Sequence, residues 1–434
     1  MEIETGKSAD GNSPIRDVAY VTREEALRLL EIKSATLYTY VSRGWVRRIA
    51  ARGRKQSLYL REDLDKLRAR SDARASTGVV ASGALRYGEP IIPTSITEIT
   101  ASGPKYRART ATELAGAGLA FEVVAELLWT GRLLEFHPWP FNSVPGNVRK
   151  IASELGRCRT SVELHDAFAL VTLATGMARK NLLKRTTGGA TPVVSARQLI
   201  LLLTGCFGFL RSPHGYRPPE ASGSVAEAVA RALGAVPDAK VTRALNAALI
   251  LSADHELNPA TFVGRVAASS ESHLHRCVAA AICTNSGVRI ADGCDRLEHF
   301  LRGPVTLEAM LARAGGPPLG ADYAVTFGFN HPLYPDGDPR GRWLLERIRE
   351  FGSGSTRLRE ILGFIDTVGE RQKQYPRFEL ALALLTTALR LPLGAAGGIY
   401  TLGRVAGWVA HISEQRLAGF LIRPRAKFIG TSTG

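Results

Sequence analysis

From about residue 109 onward the chain is rich in Ala and Leu, with apolar residues at the three-to-four-residue spacing of an α-helix. TATELAGAGLAFEVVAELLWTG and SARQLILLLTGCFGFL show this pattern, and signals typical of strands are few. Amphipathic helices bury their apolar faces against one another. The sequence therefore predicts a large, mainly helical domain over residues 109–434.

Two shorter zones precede this helical region. Residues 16–74 hold short helical patterns and many Arg residues. Residues 75–108 are rich in Ser, Gly and Pro, which is typical of a linker that runs into short extended pieces. We therefore expect three parts: a small N-terminal module (16–74), a linker and entry segment (75–108), and the helical domain (109–434).

The composition excludes several classes of protein. A hydrophobic content of 45% and a charged content of 22% are ordinary for a soluble globular chain. We find no apolar run long enough to cross a bilayer, and the polar start MEIETGKSADGNSP is unlike a secretory signal. The five cysteines form no CxxC pair, which argues against disulfides and a zinc site. We expect a cytoplasmic protein with no membrane contact, no metal and no cofactor.

The chain is strongly basic, with a formal net charge of +16 and a pI of about 9.9. Such a balance favours anionic partners, nucleic acid among them, although an Arg-rich composition also follows from a GC-rich genome. The placement of the charge is more informative than its total. Residues 16–74 carry 15 Lys and Arg against 8 Asp and Glu.

The N-terminal zone has the pattern of two short helices joined by a tight turn. Thr22 is a good N-cap for the first helix, and the turn falls at Ile32–Lys33. Ser34 is then expected to cap a second helix, SATLYTYVSRG, that ends at Gly44. RRIAARGRKQSLYL follows as a hairpin wing with Gly53 at its tip, and REDLDKLRAR as a third helix. Together these features predict a winged helix-turn-helix.

This pattern resembles the MerR/excisionase-type winged helix over residues 16–74. Helices of this kind enter the major groove of DNA, while a basic wing contacts phosphates. Helix-turn-helix folds also serve as protein-binding modules, but a cationic wing favours DNA. The predicted DNA contacts are Thr36, Tyr38, Thr39 and Tyr40 on the second helix, Arg43 after it, and Arg52, Arg54 and Lys55 in the wing.

Five motifs mark the helical region: FEVVAELLWTG at 121–131, DHELNPATFVGRVAAS at 254–269, GFNHPLYPDGDPR at 328–340, RVAGWVAH at 404–411 and RPR at 423–425. In content and order they resemble the motifs of the citrate synthase family. The resemblance implies an all-α fold with a large domain and an inserted small domain. It also implies a homodimer whose sites close around oxaloacetate before acyl-CoA binds as co-substrate.

Two imidazoles and three guanidiniums stand within these motifs. Such a set suits a small dicarboxylate or keto-acid, because the Arg fork matches a carboxylate bidentately. The resemblance implies that His255, His331, Arg340 and Arg404 hold oxaloacetate, and that Arg423 reaches in from the partner subunit. It also implies that His331 polarises the ketone that the acyl carbon attacks.

The chain departs from the family at both positions that handle protons. In the family an Asp removes a proton from the acyl methyl group, and a His in GPLHGG donates a hydrogen bond to the enol oxygen. Here GVRIADG places Ile290 at the His position, and PRFELAL places Glu379 where PNVDFYS has the Asp. Glu can act as the base, but a shift of about 1 Å can cost on the order of a hundredfold in rate. Loss of a positioned acid can cost a further ~10²–10⁴.

Two hypotheses follow from this combination. The first is an acyl-CoA condensing enzyme, impaired at Ile290, with His331 and Glu379 as its catalytic residues. The second is a non-catalytic regulator that senses a di- or tricarboxylate and binds DNA through residues 16–74. Acetyl- and propionyl-CoA variants of the family share the motifs quoted, so the sequence does not separate citrate from methylcitrate synthesis.

Overall fold

The computed structural model is mostly helical. It describes residues 20–42, 46–50, 57–61, 63–65, 67–68, 92–158, 162–183, 192–315, 328–352 and 354–424. The N-terminal elements are β1 (Tyr20–Val21), α1 (Arg23–Leu30), α2 (Ser34–Ser42), β2 (Arg48–Ala50) and β3 (Ser57–Leu60).

The N-terminal elements form a small unit with its own apolar core. Thr22 caps α1 as predicted. Its side chain accepts a hydrogen bond from the Glu25 backbone N–H, and the Glu25 carboxylate accepts one from the Thr22 backbone N–H. Ser34 is the first residue of α2 and not its cap, since Lys33 supplies the carbonyl that accepts the first helical bonds. The strands form an antiparallel sheet in the order β1-β3-β2. The buried core residues are Val21, Ala26, Leu37, Val46, Tyr59, Leu64 and Leu67.

A second antiparallel sheet leads into the helical region. It consists of β4 (Thr97–Thr100), β5 (Gly103–Tyr106) and β6 (Arg109–Thr110), in that order. These strands are the short extended pieces expected at the end of the linker. Thr110 then caps the next helix in a capping box with Glu113.

The helical region packs around one large apolar core. A 3₁₀ turn at Gly205–Leu210 follows the fifth helix of this region. The helices are α3 (Ala111–Gly116), α4 (Phe121–Thr130), α5 (Gly146–Arg157), α6 (Leu164–Leu183), α7 (Pro192–Thr204), α8 (Val225–Leu233), α9 (Ala239–Ser252), α10 (Pro259–Ser269), α11 (Leu274–Asn285), α12 (Ala291–Arg302), α13 (Leu307–Ala314), α14 (Pro339–Gly352), α15 (Thr356–Gln372), α16 (Phe378–Ala388) and α17 (Ala395–Ala418).

Helix α17 is the longest of these and is buried along most of its length. It packs against α9, α10 and α12. The approach to the end of α9 is so close that a Cβ at Gly407 would lie 2.1 Å from the Asp254 carboxylate Oδ1. Only glycine fits there, and the Gly407 N–H donates to the Ala253 carbonyl at 2.9 Å. This contact fixes the turn that carries one of the predicted site residues.

One expectation about apolar segments was wrong. The stretch Pro192–Leu210, α7 with its 3₁₀ extension, has 19 residues and a mean hydropathy of 1.8, which is long and apolar enough to cross a membrane. In the fold, 72% of that stretch is buried inside the protein. Its apolar composition is explained by packing, because a core helix is covered by protein on nearly every side.

Candidate functional site

His255 lies in a sharp turn between α9 and α10. The turn needs a left-handed residue, which is Glu256 at φ 57°. Asn258 then caps α10 by accepting from the Thr261 N–H, and Pro259 takes the first helical position, where no N–H is needed. The capping signal therefore sets where the helix starts and leaves His255 buried beside it.

His331 is carried by a short segment with unusual backbone angles. Gly328 has φ 115° and Asn330 has φ 59°. Asn330 stands where the family motif GFGH has glycine, and Asn is among the residues that tolerate the left-handed region. Its N–H donates to the Tyr375 carbonyl at 3.0 Å, and Phe329 forms an antiparallel bridge with Pro376. This pairing holds His331 next to the start of α16.

The structure brings the two histidine rings together. The ring centroids of His255 and His331 are 5.2 Å apart, and both rings contact Tyr334, whose centroid is 4.9 Å from that of His331. His255 Nε2 and Tyr334 Oη share a hydrogen bond of 2.9 Å. The three rings thus form one wall of the site.

Both imidazoles are neutral at physiological pH. Burial, followed by the charge of Arg377, lowers the pKa of His331 to about 4. Burial, with Arg340 and His331 nearby, lowers the pKa of His255 well below its usual value. His331 Nδ1 accepts a hydrogen bond from the Leu333 N–H at 3.1 Å. A neutral ring that accepts at Nδ1 carries its proton on Nε2, which makes His331 a hydrogen-bond donor.

Arg340 is held by a carboxylate two residues before it. Its Nε and Nη2 donate to the two oxygens of Asp338 at 3.1 and 2.8 Å, and both side chains are at most 1% exposed. Among the described residues no acceptor faces its Nη1. A buried guanidinium N–H without an acceptor is costly, so this N–H is available to an acceptor from a ligand or a water molecule.

Arg404 projects from the middle of α17. Its Nη2 donates to Tyr400 Oη at 2.9 Å, one helical turn earlier, and the residue is only 1% exposed. Its Nε and Nη1 face no acceptor within the described ranges. Burial is the main cause of the lowered pKa of His255, and Arg340 and Arg404 both contribute to it, so the two cations lie within electrostatic reach of this histidine. Four of the five predicted oxaloacetate ligands are therefore brought together.

Arg423 does not join this group within the chain. It is exposed, and its neighbour Ile422 donates to Ser269 Oγ at 3.1 Å, at the far end of α10 from His255. At 1.5 Å per residue, α10 separates the two ends by roughly 16 Å. The prediction that Arg423 completes the site of a partner subunit stays a prediction.

Glu379 lies in the first turn of α16, 4% exposed and facing the same group. Its Oε2 is 3.4 Å from the Nε of Arg377. Burial alone would raise the pKa of Glu379, but Arg377, His331 and Arg340 outweigh it and hold that pKa below its usual value. Glu379 is therefore ionised at neutral pH, as a base must be.

Ile290 immediately precedes α12, which packs on α16. The side chain is half-buried against the main core. The nearby histidines lie on the flanking helices: His273 is at the N-cap position of α11, His275 lies within α11, and His299 is in the last turn of α12. In the described part of the chain, no group of three or more His, Cys, Asp or Glu side chains is placed to hold a metal ion.

Four residues of this site were missed by the sequence motifs. They orient or neutralise the predicted ones, and three of the four lie within four residues of their partner along the chain. Asp338 and Arg340 are two apart, as are Arg377 and Glu379, so a carboxylate beside an Arg was an available signal. The four are Tyr334, Asp338, Arg377 and Tyr400.

The predicted DNA contacts are only partly described. Tyr38 and Thr39 are exposed on α2, with Arg23 over the Tyr38 ring at 5.4 Å, and Thr36 is half-buried. Tyr40 packs on the core of the N-terminal unit. Four predicted contacts lie outside the described residues: Arg43, Arg52, Arg54 and Lys55.

Residues 87–425 match the family model described as citrate synthase, C-terminal domain. The match covers well over half of the chain and includes the β4–β6 sheet. The chain belongs to the citrate synthase family.

Curated relatives include citrate and methylcitrate synthases. The chain is 30% identical to 2-methylcitrate synthase of Shewanella oneidensis over 202 residues, 46% of this chain and 53% of that protein. It is 29% identical to citrate synthase 2 of Bacillus subtilis over 282 residues, 62% of this chain and 75% of that protein. The chain thus spans about half the length of the first of these relatives and three quarters of the second.

Solved structures show the same fold. Citrate synthase from Thermoplasma acidophilum, in a ternary complex with carboxymethyl coenzyme A and oxaloacetate, superposes with a TM-score of 0.67 at 19% identity, over 80% of this chain and 96% of that one. Citrate synthase from Pyrobaculum aerophilum gives 0.65 at 22% identity, over 82% and 97%.

Proposed function

We propose that the site binds oxaloacetate and condenses it slowly with an acyl-CoA. The observation that carries this proposal is the pair of buried guanidiniums, Arg340 and Arg404, which lie beside two neutral imidazoles and whose remaining N–H groups face no acceptor among the residues that the structure describes. A keto-diacid supplies what the group lacks: carboxylates for the cations and a carbonyl oxygen for a neutral donor. The solved relative from Thermoplasma acidophilum holds oxaloacetate and a coenzyme A derivative, which supports this ligand class.

The reaction needs a base, an electrophile and a stabilised enol. Glu379 takes a proton from the carbon next to the thioester, and that carbon attacks the ketone of oxaloacetate. His331 Nε2–H donates to the ketone oxygen as negative charge develops there. The alkoxide that forms takes up a proton, and the proton held by Glu379 returns to solvent, which regenerates the base. Water then cleaves the thioester and releases CoA. No donor from the position of Ile290 assists the enol, so we expect slow turnover.

Replacing Glu379 by Gln should abolish CoA release, with a fall of at least ~10² in rate, because the amide cannot accept the proton. Thiol release from acetyl-CoA or propionyl-CoA in the presence of oxaloacetate measures it. Glu122→Gln is the matched control: Glu122 is equally buried but accepts from the Val225 N–H, away from the site. Equal rates for Glu379→Gln and the unmodified protein would rule out Glu379 as the base.

A second candidate function is regulation of DNA binding by the bound acid. It is favoured by a direct contact between the N-terminal unit and α4. Arg47 donates to both oxygens of Asp63 at 2.8 and 2.6 Å, and its Nη1 donates to the Trp129 carbonyl. Trp129 Nε1 in turn donates to the Ala406 carbonyl on α17 at 2.9 Å. The helix that carries Arg404 is therefore linked to the N-terminal unit through Trp129.

The regulator hypothesis also needs two N-terminal units in one assembly. Helix α6 exposes Leu170, Leu173 and Met177 at helical spacing, which supports a homodimer through this face. In a two-fold dimer, two N-terminal units would read a pseudo-palindromic DNA site through α2 and the basic wing.

Replacing Arg47 by Met should uncouple the N-terminal unit from the acid site. In the unmodified protein, saturating oxaloacetate should change the rate of hydrogen exchange in residues 20–42. The bound ligand favours one position of α17, and the contact through Trp129 and Arg47 transmits that preference to the N-terminal unit. The variant should lose this change while it keeps its affinity for oxaloacetate. Arg48→Met, at the exposed neighbouring position on β2, is the control. An oxaloacetate-dependent change of equal size in Arg47→Met would contradict the coupling.

A further inference from the structure

Arg377 introduces a cation that the family motif lacks at this position. In the motif PNVDFYS a neutral Asn stands two residues before the base, whereas PRFE here places Arg377 two residues before Glu379. Arg377 is 8% exposed, and its Nε lies 3.4 Å from Glu379 Oε2. The additional charge therefore lies beside the group to which we assign proton abstraction.

The backbone around Arg377 is firmly fixed. Its N–H donates to the Gly328 carbonyl at 2.7 Å, and the Phe378 N–H donates to Asp338 Oδ2 at 3.2 Å. A Cβ at Gly341 would lie 3.0 Å from the Arg377 carbonyl carbon, so α14 packs tightly against this point. The short separation to Glu379 thus follows from the packing of three segments.

The location is electrostatically unfavourable for a lone cation. Arg377 is the N-cap of α16, where the helix dipole repels positive charge and favours a carboxylate such as Glu379 in the first turn. Burial adds a desolvation cost that an ion pair partly offsets. Glu379 Oε2, 3.4 Å from the Nε of Arg377, supplies a negative charge that offsets part of this cost.

We propose that Arg377 is a positioning residue that holds Glu379 as an ion-paired carboxylate and so restrains it as a base. The inference rests on the proposed condensation, of which it is a refinement. The ion pair favours the ionised form of Glu379, and a carboxylate that holds its proton weakly is a poor acceptor from carbon. Together with Ile290, Arg377 slows enolisation of the acyl-CoA, while the site still binds its acid ligand.

Several groups face Glu379, and the test must separate Arg377 from them. His331 and Arg340 lower the pKa of Glu379, whereas burial and Asp338 raise it. Cys294 on α12 and Tyr400 on α17 also lie within electrostatic reach of the carboxylate. Burial raises the pKa of Glu379 and Arg377 opposes that effect, so removal of Arg377 should raise this pKa.

The experiment is a titration of the Glu379 carboxyl carbon by ¹³C NMR in the full-length protein, with the resonance assigned by its absence in Glu379→Gln. The midpoint should lie below the ordinary Glu value in the unmodified protein and in Arg377→Lys, which keeps the charge. In Arg377→Asn, which restores the neutral residue of the motif, the midpoint should be higher than in the unmodified protein. An unchanged midpoint in Arg377→Asn overturns the proposal.

Two further measurements make the outcome unambiguous. If Arg377→Asn does not fold, Arg377→Met retains the apolar stem and must raise the midpoint in the same way. CoA release should be about tenfold faster at pH 8 in Arg377→Asn, and the acidic limb of its pH profile should move to higher pH. A shifted midpoint with no CoA release from any variant would overturn the condensation while it supports the role of Arg377.

Discussion

Replacing Ile290 by His should raise the rate of CoA release by roughly 10²–10⁴. Ile290 immediately precedes α12, and α12 packs on the helix that carries Glu379. An imidazole at this position would donate a hydrogen bond to the enol oxygen that Glu379 creates by removing the proton. The position is half-buried, so the ring fits without removing a core residue that is fully covered. Thiol release with saturating oxaloacetate and acetyl-CoA or propionyl-CoA is the measurement.

The control is Ile290→Leu, which changes shape but adds no donor and should leave the rate within a few-fold of the unmodified protein. The double variant Ile290→His/Glu379→Asp restores both residues of the family motifs and should be the fastest. If neither the single nor the double variant exceeds the unmodified protein, the scaffold lacks more than the enol donor, and the condensation proposal is wrong.

Replacing Arg340 by Leu should reduce the free energy of unfolding by about 3–5 kcal/mol, because it leaves the carboxylate of Asp338 buried without its cation. Burial alone would raise the pKa of Asp338, but Arg340 outweighs it and holds that pKa below its usual value. The pair therefore stabilises the fold above the unfolded pKa of Asp338, and this stability is lost as pH falls through the lower folded value. Urea denaturation at pH 7 measures the loss.

The pH dependence of the stability of Arg340→Leu distinguishes the loss of the ion pair from the loss of side-chain packing. In Arg340→Leu, Asp338 has lost its cation and its pKa should rise, so the carboxyl protonates readily. The variant should then recover part of the difference as pH falls from 7 to 5. Arg340→Leu/Asp338→Asn, which removes both charges, should be more stable at pH 7 than Arg340→Leu alone. A loss that is the same at pH 5 and 7, and in the double variant, would show that packing and not charge explains it.

The sequence predicted the helical region for a definite physical reason, whereas the ligand group was an expectation that rested on the resemblance to a family. Helical spacing of apolar residues is local and repeats over many turns, so it survives in any helical fold. Asn258 and Pro259 mark the start of α10 by capping chemistry alone, which places His255 in the turn before it. The backbone angles at Asn330 follow from a residue type that tolerates positive φ.

The residues that were missed act across the fold or on their neighbours' charge. Tyr334 contacts His255 only because two segments about 80 residues apart in the sequence lie together in the fold. The hydropathy pattern does not reveal such a contact. Arg377 is an ordinary charged residue until its burial is known. The stretch Pro192–Leu210 was predicted to be helical, but its apolar length was underestimated, and composition alone does not distinguish a covered core helix from a membrane segment.

The central claim is that one buried group of cations and neutral imidazoles holds a keto-diacid, and calorimetric titration with oxaloacetate tests it most directly. We expect saturable binding at one site per chain. Arg404→Leu should weaken it by ~10–100-fold through loss of charge-assisted hydrogen bonds. Arg416→Leu is the matched control on the same helix, because Arg416 donates to the Ser272 carbonyl at 2.6 Å, away from the site. No saturable heat from the unmodified protein, or equal affinity in Arg404→Leu, would contradict the account.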